Sequence, residues 1–67
     1  MVITLNGETR QVPDDLSIEA LLEYLKIQPA RVAVELNMEI VKKASYASAQ
    51  VKSGDSVEIV SFMSGGA

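Results

Sequence analysis

A chain of 67 residues without cysteine has to be held together by one small hydrophobic core. Disulfides and zinc–thiolate clusters, which support many very small domains, are both excluded. Hydrophobic residues make up 48% of the sequence and charged residues 22%, which is typical of a globular domain. We therefore expect a single domain with too little interior for a deep substrate pocket. Such a chain favours a carrier, an adaptor or an inhibitor over a self-sufficient enzyme.

The sequence also lacks histidine, the usual general base at neutral pH and the commonest metal ligand. The formal net charge of −3 would repel duplex nucleic acid and would suit a basic protein partner. No apolar run approaches the roughly 20 residues of a membrane span, and residues 1–5 lack the basic start of a signal peptide. These features predict a cytoplasmic protein with no metal, no nucleic-acid partner and no membrane partner.

The first half of the sequence predicts a hairpin followed by one helix. Asn6-Gly7 is the strongest short hairpin signal, because a type I′ turn needs positive φ at both central residues. Ser17 is a good N-cap, and the helix is expected to end near Lys26 or Ile27 because a proline follows closely. A helix this short must dock its apolar side on a sheet. That side is formed by Ile18, Leu21, Leu22 and Leu25, which recur at helical spacing.

The second half of the sequence predicts three further strands, so one helix covers one face of a sheet of about five strands. This is an α+β arrangement, and its other sheet face is open to water or to a partner. The expected strands lie at 32–36, 39–41 and 57–63, with a tight turn at Asn37-Met38 and an irregular segment at 42–52 anchored by Tyr46 and Val51. The predicted core comprises Ile3, Leu5, Leu21, Leu25, Val34, Leu36, Val57 and Ile59.

The last predicted strand offers a candidate partner-binding surface. If Val57 and Ile59 point toward the helix, then Glu58, Val60 and Phe62 point away from it. Phe62 is the only phenylalanine, and an exposed apolar patch around it is typical of an interaction site. The alternative is a local contact of Phe62 with a neighbouring strand or with the long irregular segment.

The charged residues are weaker candidates for function. Asp14-Asp15 and the helix glutamates could form an acid–base pair, but helix capping and a solvated surface explain them better. Lys42-Lys43 could bind a phosphate or an acidic partner, although a solvated loop is the simpler interpretation.

The chain ends in Ser64-Gly65-Gly66-Ala67. Two glycines directly after a strand have no packing role and lose much conformational entropy if they are ordered. A tail without Cβ atoms could thread a narrow channel and bring a terminal carboxylate to a reactive centre in another protein. The alternative is a frayed end. We therefore divide the chain into one domain at 1–63 and a flexible tail at 64–67.

Together these features resemble the ubiquitin-like sulfur carrier proteins, most closely those of thiamin biosynthesis. The chain departs from that family at Met38, where the turn usually has glycine, and at Ala67, which follows the usual terminal glycine. The resemblance covers nearly the whole chain: Asn6-Gly7, Ser17 before Leu21-Leu22, Val32-Ala33-Val34, Glu39-Ile40-Val41, Gly54-Asp55 before Val57-Glu58-Ile59-Val60, and Gly65-Gly66.

The resemblance implies a β-grasp fold, in which a mixed sheet curls around the helix and the first and last strands are adjacent and parallel. It also implies a carrier that is not itself an enzyme and binds no cofactor. A ubiquitin-activating-type adenylating enzyme would use ATP and magnesium to activate the Gly66 carboxylate. Sulfur drawn from cysteine through a desulfurase would then displace AMP, and the resulting thiocarboxylate would supply thiazole synthase.

Within this scheme, Gly65 and Gly66 form the reacting end, and Val60, Phe62 and Ala33 form the surface for the activating enzyme. We expect Gly66 to be the working terminus, with Ala67 removed or not native. Two alternatives stay open. The carrier could serve molybdopterin, tRNA thiolation or cysteine synthesis, although carriers for molybdopterin tend to be longer. It could instead be a β-grasp interaction module with an inert tail.

Overall fold

The computed structural model describes residues 1–62, which form a helix, a five-stranded sheet and a small second sheet. The main sheet has the order β2-β1-β7-β4-β5, and β3 pairs with β6. Strands β1 and β7 are adjacent and parallel, as the resemblance implied. The strands are β1 (Val2–Leu5), β2 (Glu8–Gln11), β3 (Leu16–Ser17), β4 (Val32–Leu36), β5 (Glu39–Val41), β6 (Gln50–Val51) and β7 (Ser56–Ser61), and helix α1 spans Ile18–Tyr24.

The main sheet contains two antiparallel hairpins, and in each of them a tight turn with positive φ connects the two strands. Asn6 and Gly7 have φ of 50° and 84° between β1 and β2, and Asn37 and Met38 have φ of 52° and 72° between β4 and β5. Both predicted turns are therefore confirmed. Met38 adopts the left-handed backbone that a glycine would adopt more readily, so the departure from the family pattern leaves a strained residue in this turn.

The asparagine of each turn also bonds to β7, which runs between the two hairpins. The Asn6 side chain accepts the N–H of Ile59 at 2.7 Å and donates to its carbonyl at 3.2 Å, beyond the last residue of β1. On the other side, the Asn37 side chain accepts the N–H of Ser56 at 2.9 Å. The two amides thus extend the sheet's hydrogen bonding along the central strand.

Helix α1 begins as predicted but ends earlier. Ser17 Oγ accepts a backbone N–H of the first turn at 3.0 Å, which confirms it as the N-cap. The last helical residue is Tyr24, whereas the sequence predicted an end near Lys26 or Ile27. Lys26 has a φ of 64°, and the Ile27 N–H bonds to the carbonyl of Leu22 at 2.9 Å, as in a Schellman motif. The left-handed backbone of Lys26 therefore ends the helix, three residues before Pro29.

The segment at 42–52 was predicted to be irregular, and that prediction is wrong in part. It contains a 3₁₀ turn at Lys43–Ser45 and strand β6, which pairs with β3. Its Ala49 and Tyr46 carbonyls accept the N–H groups of Ile18 and Glu19, both at 2.9 Å. Backbone donors at the start of a helix have no partner within it, so this segment supplies partners from a distant part of the chain. The predicted anchors Tyr46 and Val51 are buried.

The hydrophobic core lies between α1 and the main sheet. Four of the eight predicted core residues are fully buried: Ile3, Leu21, Val34 and Val57. The other four are only half-buried and pack around the core: Leu5, Leu25, Leu36 and Ile59. Further buried residues complete the core: Val12, Ile18, Leu22, Val32, Tyr46 and Val51. The stripe of the helix therefore docks on the sheet as predicted, with Leu25 at its edge.

The last strand begins one residue earlier than the predicted 57–63 and ends at Ser61. Met63 and the tail at 64–67 lie outside the described residues, so the domain boundary at 63 stays a prediction.

Candidate partner-binding face

The open face of the main sheet is the surface that does not contact α1, and β7 runs through its middle. Val57 is fully buried and Ile59 packs against the core, so Glu58 and Val60 point to the other side of the sheet. Val60 is 58% exposed, and Phe62, which follows the strand, is 59% exposed. These are the two largest side chains that the sequence assigned to partner binding.

Ala33, the third predicted contact residue, lies directly opposite Val60 in the β4–β7 pair. It is half-buried, as a small side chain between larger neighbours would be. The structure therefore brings Ala33 and Val60 together on the open face. Their role in binding a partner stays a prediction.

Ile40 belongs to the same face and was not singled out in the sequence. It is 75% exposed and lies opposite Glu35 in the β4–β5 pair. The two-residue turn between these strands fixes their register, so the pairing could have been found from the Asn37-Met38 signal. Ile40 extends the apolar part of the open face toward the edge strand.

The amine of Lys43 contacts neighbouring groups of the chain and is not a free phosphate-binding group. Its Nζ donates to the carbonyl of Val32 at 3.0 Å. The same atom lies 5.3 Å from the centre of the Phe62 ring and 5.8 Å from that of Tyr46, within reach of a cation–π interaction. The alternative predicted for Phe62, a contact with the 42–52 segment, is thus present, although most of the ring remains exposed.

Tyr46, the second aromatic residue near the Lys43 amine, has a buried side chain. Burial raises the pKa of the Tyr46 phenol above its ordinary value, and a hydrogen bond with the Val34 backbone acts in the opposite direction. Deprotonation of this phenol is therefore disfavoured in the folded chain.

The chain reaches its predicted reacting end from β7. The Phe62 N–H donates to the carbonyl of Arg31 at 2.8 Å. Phe62 follows β7 and Arg31 precedes β4, so the hydrogen bonding between these two strands continues one residue past the end of β7. Gly65, Gly66 and Ala67 lie outside the described residues. The predicted role of the two glycines is therefore not tested by the structure.

Within residues 1–62, no cluster of three or more acidic residues is placed to hold a metal ion. None of the helical segments in that range is both long and apolar enough to cross a membrane.

Comparison with known proteins identifies relatives over nearly the whole chain. A model of the ThiS family matches residues 3–66. The crystal structure of a thiamine biosynthesis protein (ThiS) from Geobacter metallireducens superposes with a TM-score of 0.86 at 38% identity, over 94% of this chain and 96% of that one.

Two further relatives differ greatly in length. The thiazole synthase of Paramagnetospirillum magneticum is 47% identical over 66 residues, which are 98% of this chain but only 20% of that protein. The uncharacterized protein ycf40 of Porphyra purpurea is 33% identical over 64 residues, 96% of this chain and 90% of that protein. The chain therefore spans about a fifth of the thiazole synthases that it matches.

Proposed function

This chain belongs to the ThiS family, and we propose that it carries sulfur as a C-terminal thiocarboxylate for thiazole formation in thiamin biosynthesis. The predicted family and the β-grasp fold are thereby confirmed. The observation that carries the proposal is that the family match extends to residue 66 and so includes both Gly65 and Gly66.

The proposed chemistry takes place at the terminal carboxylate. A carboxylate is a poor electrophile because its charge is delocalised. Its oxygen attacks the α-phosphate of ATP and pyrophosphate leaves, which gives an acyl adenylate. A persulfide sulfur then attacks the acyl carbon and AMP leaves with the bonding electrons. Reductive cleavage of the sulfur–sulfur bond by a thiol leaves the thiocarboxylate.

All catalytic groups for these steps would belong to partner proteins, so the chain acts as a substrate. A ubiquitin-activating-type adenylating enzyme would hold the ATP and magnesium, and a cysteine desulfurase would supply the sulfur. The open face, with Val60, Phe62 and Ala33, would bind the adenylating enzyme. Its exposed apolar side chains support this assignment, since such patches are typical of protein interfaces.

Thiazole synthase is the proposed acceptor of the sulfur. Supporting evidence comes from the relatives, because a sequence similar to nearly all of this chain occurs within two longer proteins named thiazole synthase. A carrier and its acceptor would gain a high effective concentration by sharing one chain. We place this chain and its proposed partners in the cytoplasm.

We expect Gly66 to be the working terminus. A channel shaped for two glycines would meet the methyl group of Ala67 and hold its carboxylate about 3.5 Å too far along. A displacement of about 1 Å at a reacting centre can lower a rate about a hundredfold.

The test compares chains that end at Gly66 and at Ala67. Each is incubated with the adenylating enzyme and desulfurase of the same organism, ATP, magnesium, cysteine and a thiol reductant. The chain ending at Gly66 should gain the mass difference between one sulfur and one oxygen, and the longer chain should react far more slowly. Equal rates would contradict the processing step only.

Two other results would change the assigned function. If neither chain gains sulfur, the proposal is wrong and the interaction module replaces it. If the thiocarboxylate forms but thiazole synthase does not consume it, the carrier serves another client, such as molybdopterin, tRNA thiolation or cysteine synthesis.

A further inference from the structure

Two carboxylates face one another at the centre of the open face. Glu35 of β4 and Glu58 of β7 are direct partners in the antiparallel register. Directly opposite residues of such a pair point to the same side of the sheet, with Cβ atoms about 4.5–5.5 Å apart. Glu58 is exposed and Glu35 is half-buried.

Neither carboxylate is neutralised within residues 1–62. The ion pair of this part of the chain joins the Met1 amine to Asp14, and no hydrogen bond or ion pair involves the Glu35 or Glu58 side chain. Like charges placed directly opposite each other destabilise a sheet. The folded chain therefore carries an unfavourable arrangement that a cation from outside would relieve.

Apolar side chains lie on both sides of this carboxylate pair. Ile40 lies opposite Glu35 on the neighbouring strand β5. The pair formed by Ala33 and Val60 lies two residues along the same strands. When a partner docks, these apolar neighbours would exclude water from a charge pair formed here, as the contacts around an interface hot spot do.

We propose that Glu35 and Glu58 together bind one arginine side chain of the protein that docks on this face. A planar guanidinium has several N–H donors in fixed directions and can bond to both carboxylates at once. Arginine is enriched in interfaces and lysine is depleted, which favours the guanidinium over an ammonium group. This inference rests on the proposed function, because it describes the partner of the same face.

Two other occupants of the face are disfavoured by its charge and by the small number of ligands that it offers. A second copy of the chain would bring two more carboxylates against the first two, with a net charge of −3 on each copy. A bound divalent cation would need about six oxygen ligands, and this part of the sheet offers two carboxylates.

The test uses the variants Glu35→Gln and Glu58→Gln and the double variant. Glu23→Gln on α1 is the matched control, since it removes the same charge from the helical layer. Affinity for the adenylating enzyme is measured by calorimetry at several salt concentrations, and the melting temperature of each free chain is measured separately.

Each single variant should weaken binding about tenfold, while the control binds like the unmodified chain. The double variant should lose less than the product of the two single losses, because both carboxylates serve one guanidinium. The melting temperature of the free chains should stay the same or rise, since the repulsion is relieved.

Three results would overturn the inference. The two variants could bind as tightly as the control, or both could lower the melting temperature and thereby reveal a structural role. Magnesium could also produce saturating NMR shifts at the amides of Glu35 and Glu58, which would assign the pair to a cation. Sulfur uptake by the unmodified chain is measured in parallel. If uptake occurs alongside any of these three results, only the arginine contact is overturned, whereas the absence of uptake overturns the proposed function itself.

Discussion

Lys43 holds its amine 5.3 Å from the centre of the Phe62 ring, while the same amine donates to the Val32 carbonyl at 3.0 Å. The segment after β5 is thereby joined to the residue that follows β7. A cation–π contact at an exposed site stabilises by about 0.5–1 kcal/mol, enough to restrict the ring without covering it. A side chain that is already positioned loses less entropy when a partner binds. The contact therefore supports Phe62 as an anchor of the open face.

Phe62→Ala should weaken binding to the adenylating enzyme at least tenfold, or about 1.4 kcal/mol. The melting temperature should change little, since most of the ring is exposed. Calorimetry and thermal melting measure the two effects. Tyr24→Ala is the control, because it removes an exposed aromatic ring from α1. A large loss of stability with unchanged affinity would assign Phe62 to the folded structure instead.

Lys43→Met should loosen Phe62 without unfolding the chain. The variant removes both the bond to the Val32 carbonyl and the cation above the ring. NMR relaxation should show lower order parameters at Phe62, and binding to the adenylating enzyme should weaken a few-fold. Lys42→Met, at an exposed neighbouring residue, should leave both measurements unchanged. If Phe62 is equally ordered in the two variants, the contact does not position it.

Leu21→Ala should lower the free energy of unfolding by about 2–5 kcal/mol, because it leaves a cavity where a fully buried side chain was. A loss of this size could unfold so small a domain. Urea denaturation measures the effect. Leu25→Ala, at the half-buried edge of the core, should be milder. Equal losses for the two variants would contradict the observed docking of α1.

Met38→Gly should raise the free energy of unfolding by up to about 1 kcal/mol. A residue with a Cβ atom is destabilised in left-handed backbone by roughly 1–2 kcal/mol, and the greater freedom of unfolded glycine offsets part of that gain. The side chain is 87% exposed, so little packing is lost. Met38→Ala keeps the Cβ atom and should show no comparable gain. Equal denaturation midpoints for the alanine and glycine variants would show that backbone strain is unimportant here.

Stability should fall in alkaline solution because of Tyr46. Burial raises the pKa of its phenol above the ordinary value of 10.0, so the folded chain holds the proton more tightly than the unfolded chain. The resulting stabilisation is complete below pH 10 and is lost as the pH rises through the pKa of the folded state. Urea denaturation across this range measures the effect. Tyr46→Phe should show a smaller decline, and an identical decline would implicate other groups.

The sequence correctly predicted the turns and the helix start, which are determined by residues close together in the chain. Asn6-Gly7 specified its turn through backbone preference, and Ser17 specified the start of α1 through its own hydroxyl. The end of α1 was missed because Lys26 adopts a backbone conformation that glycine usually adopts. The pairing of β3 with β6 was missed because it depends on contacts between segments that are far apart in the sequence.

The candidate site shows the same division. Strand alternation predicted which way Val60 points, since alternation is a property of one strand. The opposition of Glu35 and Glu58 depends on the register between β4 and β7, which tertiary packing sets. No pattern within either strand could indicate that the two carboxylates meet.

The position of β7 at the centre of the main sheet has a consequence for the synthesis of the chain. The ribosome makes β7 after both hairpins that this strand joins. Neither hairpin can pair with β7 while β7 is still in the ribosomal exit tunnel. Assembly of the sheet must therefore wait until almost all of the described residues have emerged. A nascent chain whose β7 is still in the tunnel would present no finished open face, so partners would meet that face only after β7 has emerged.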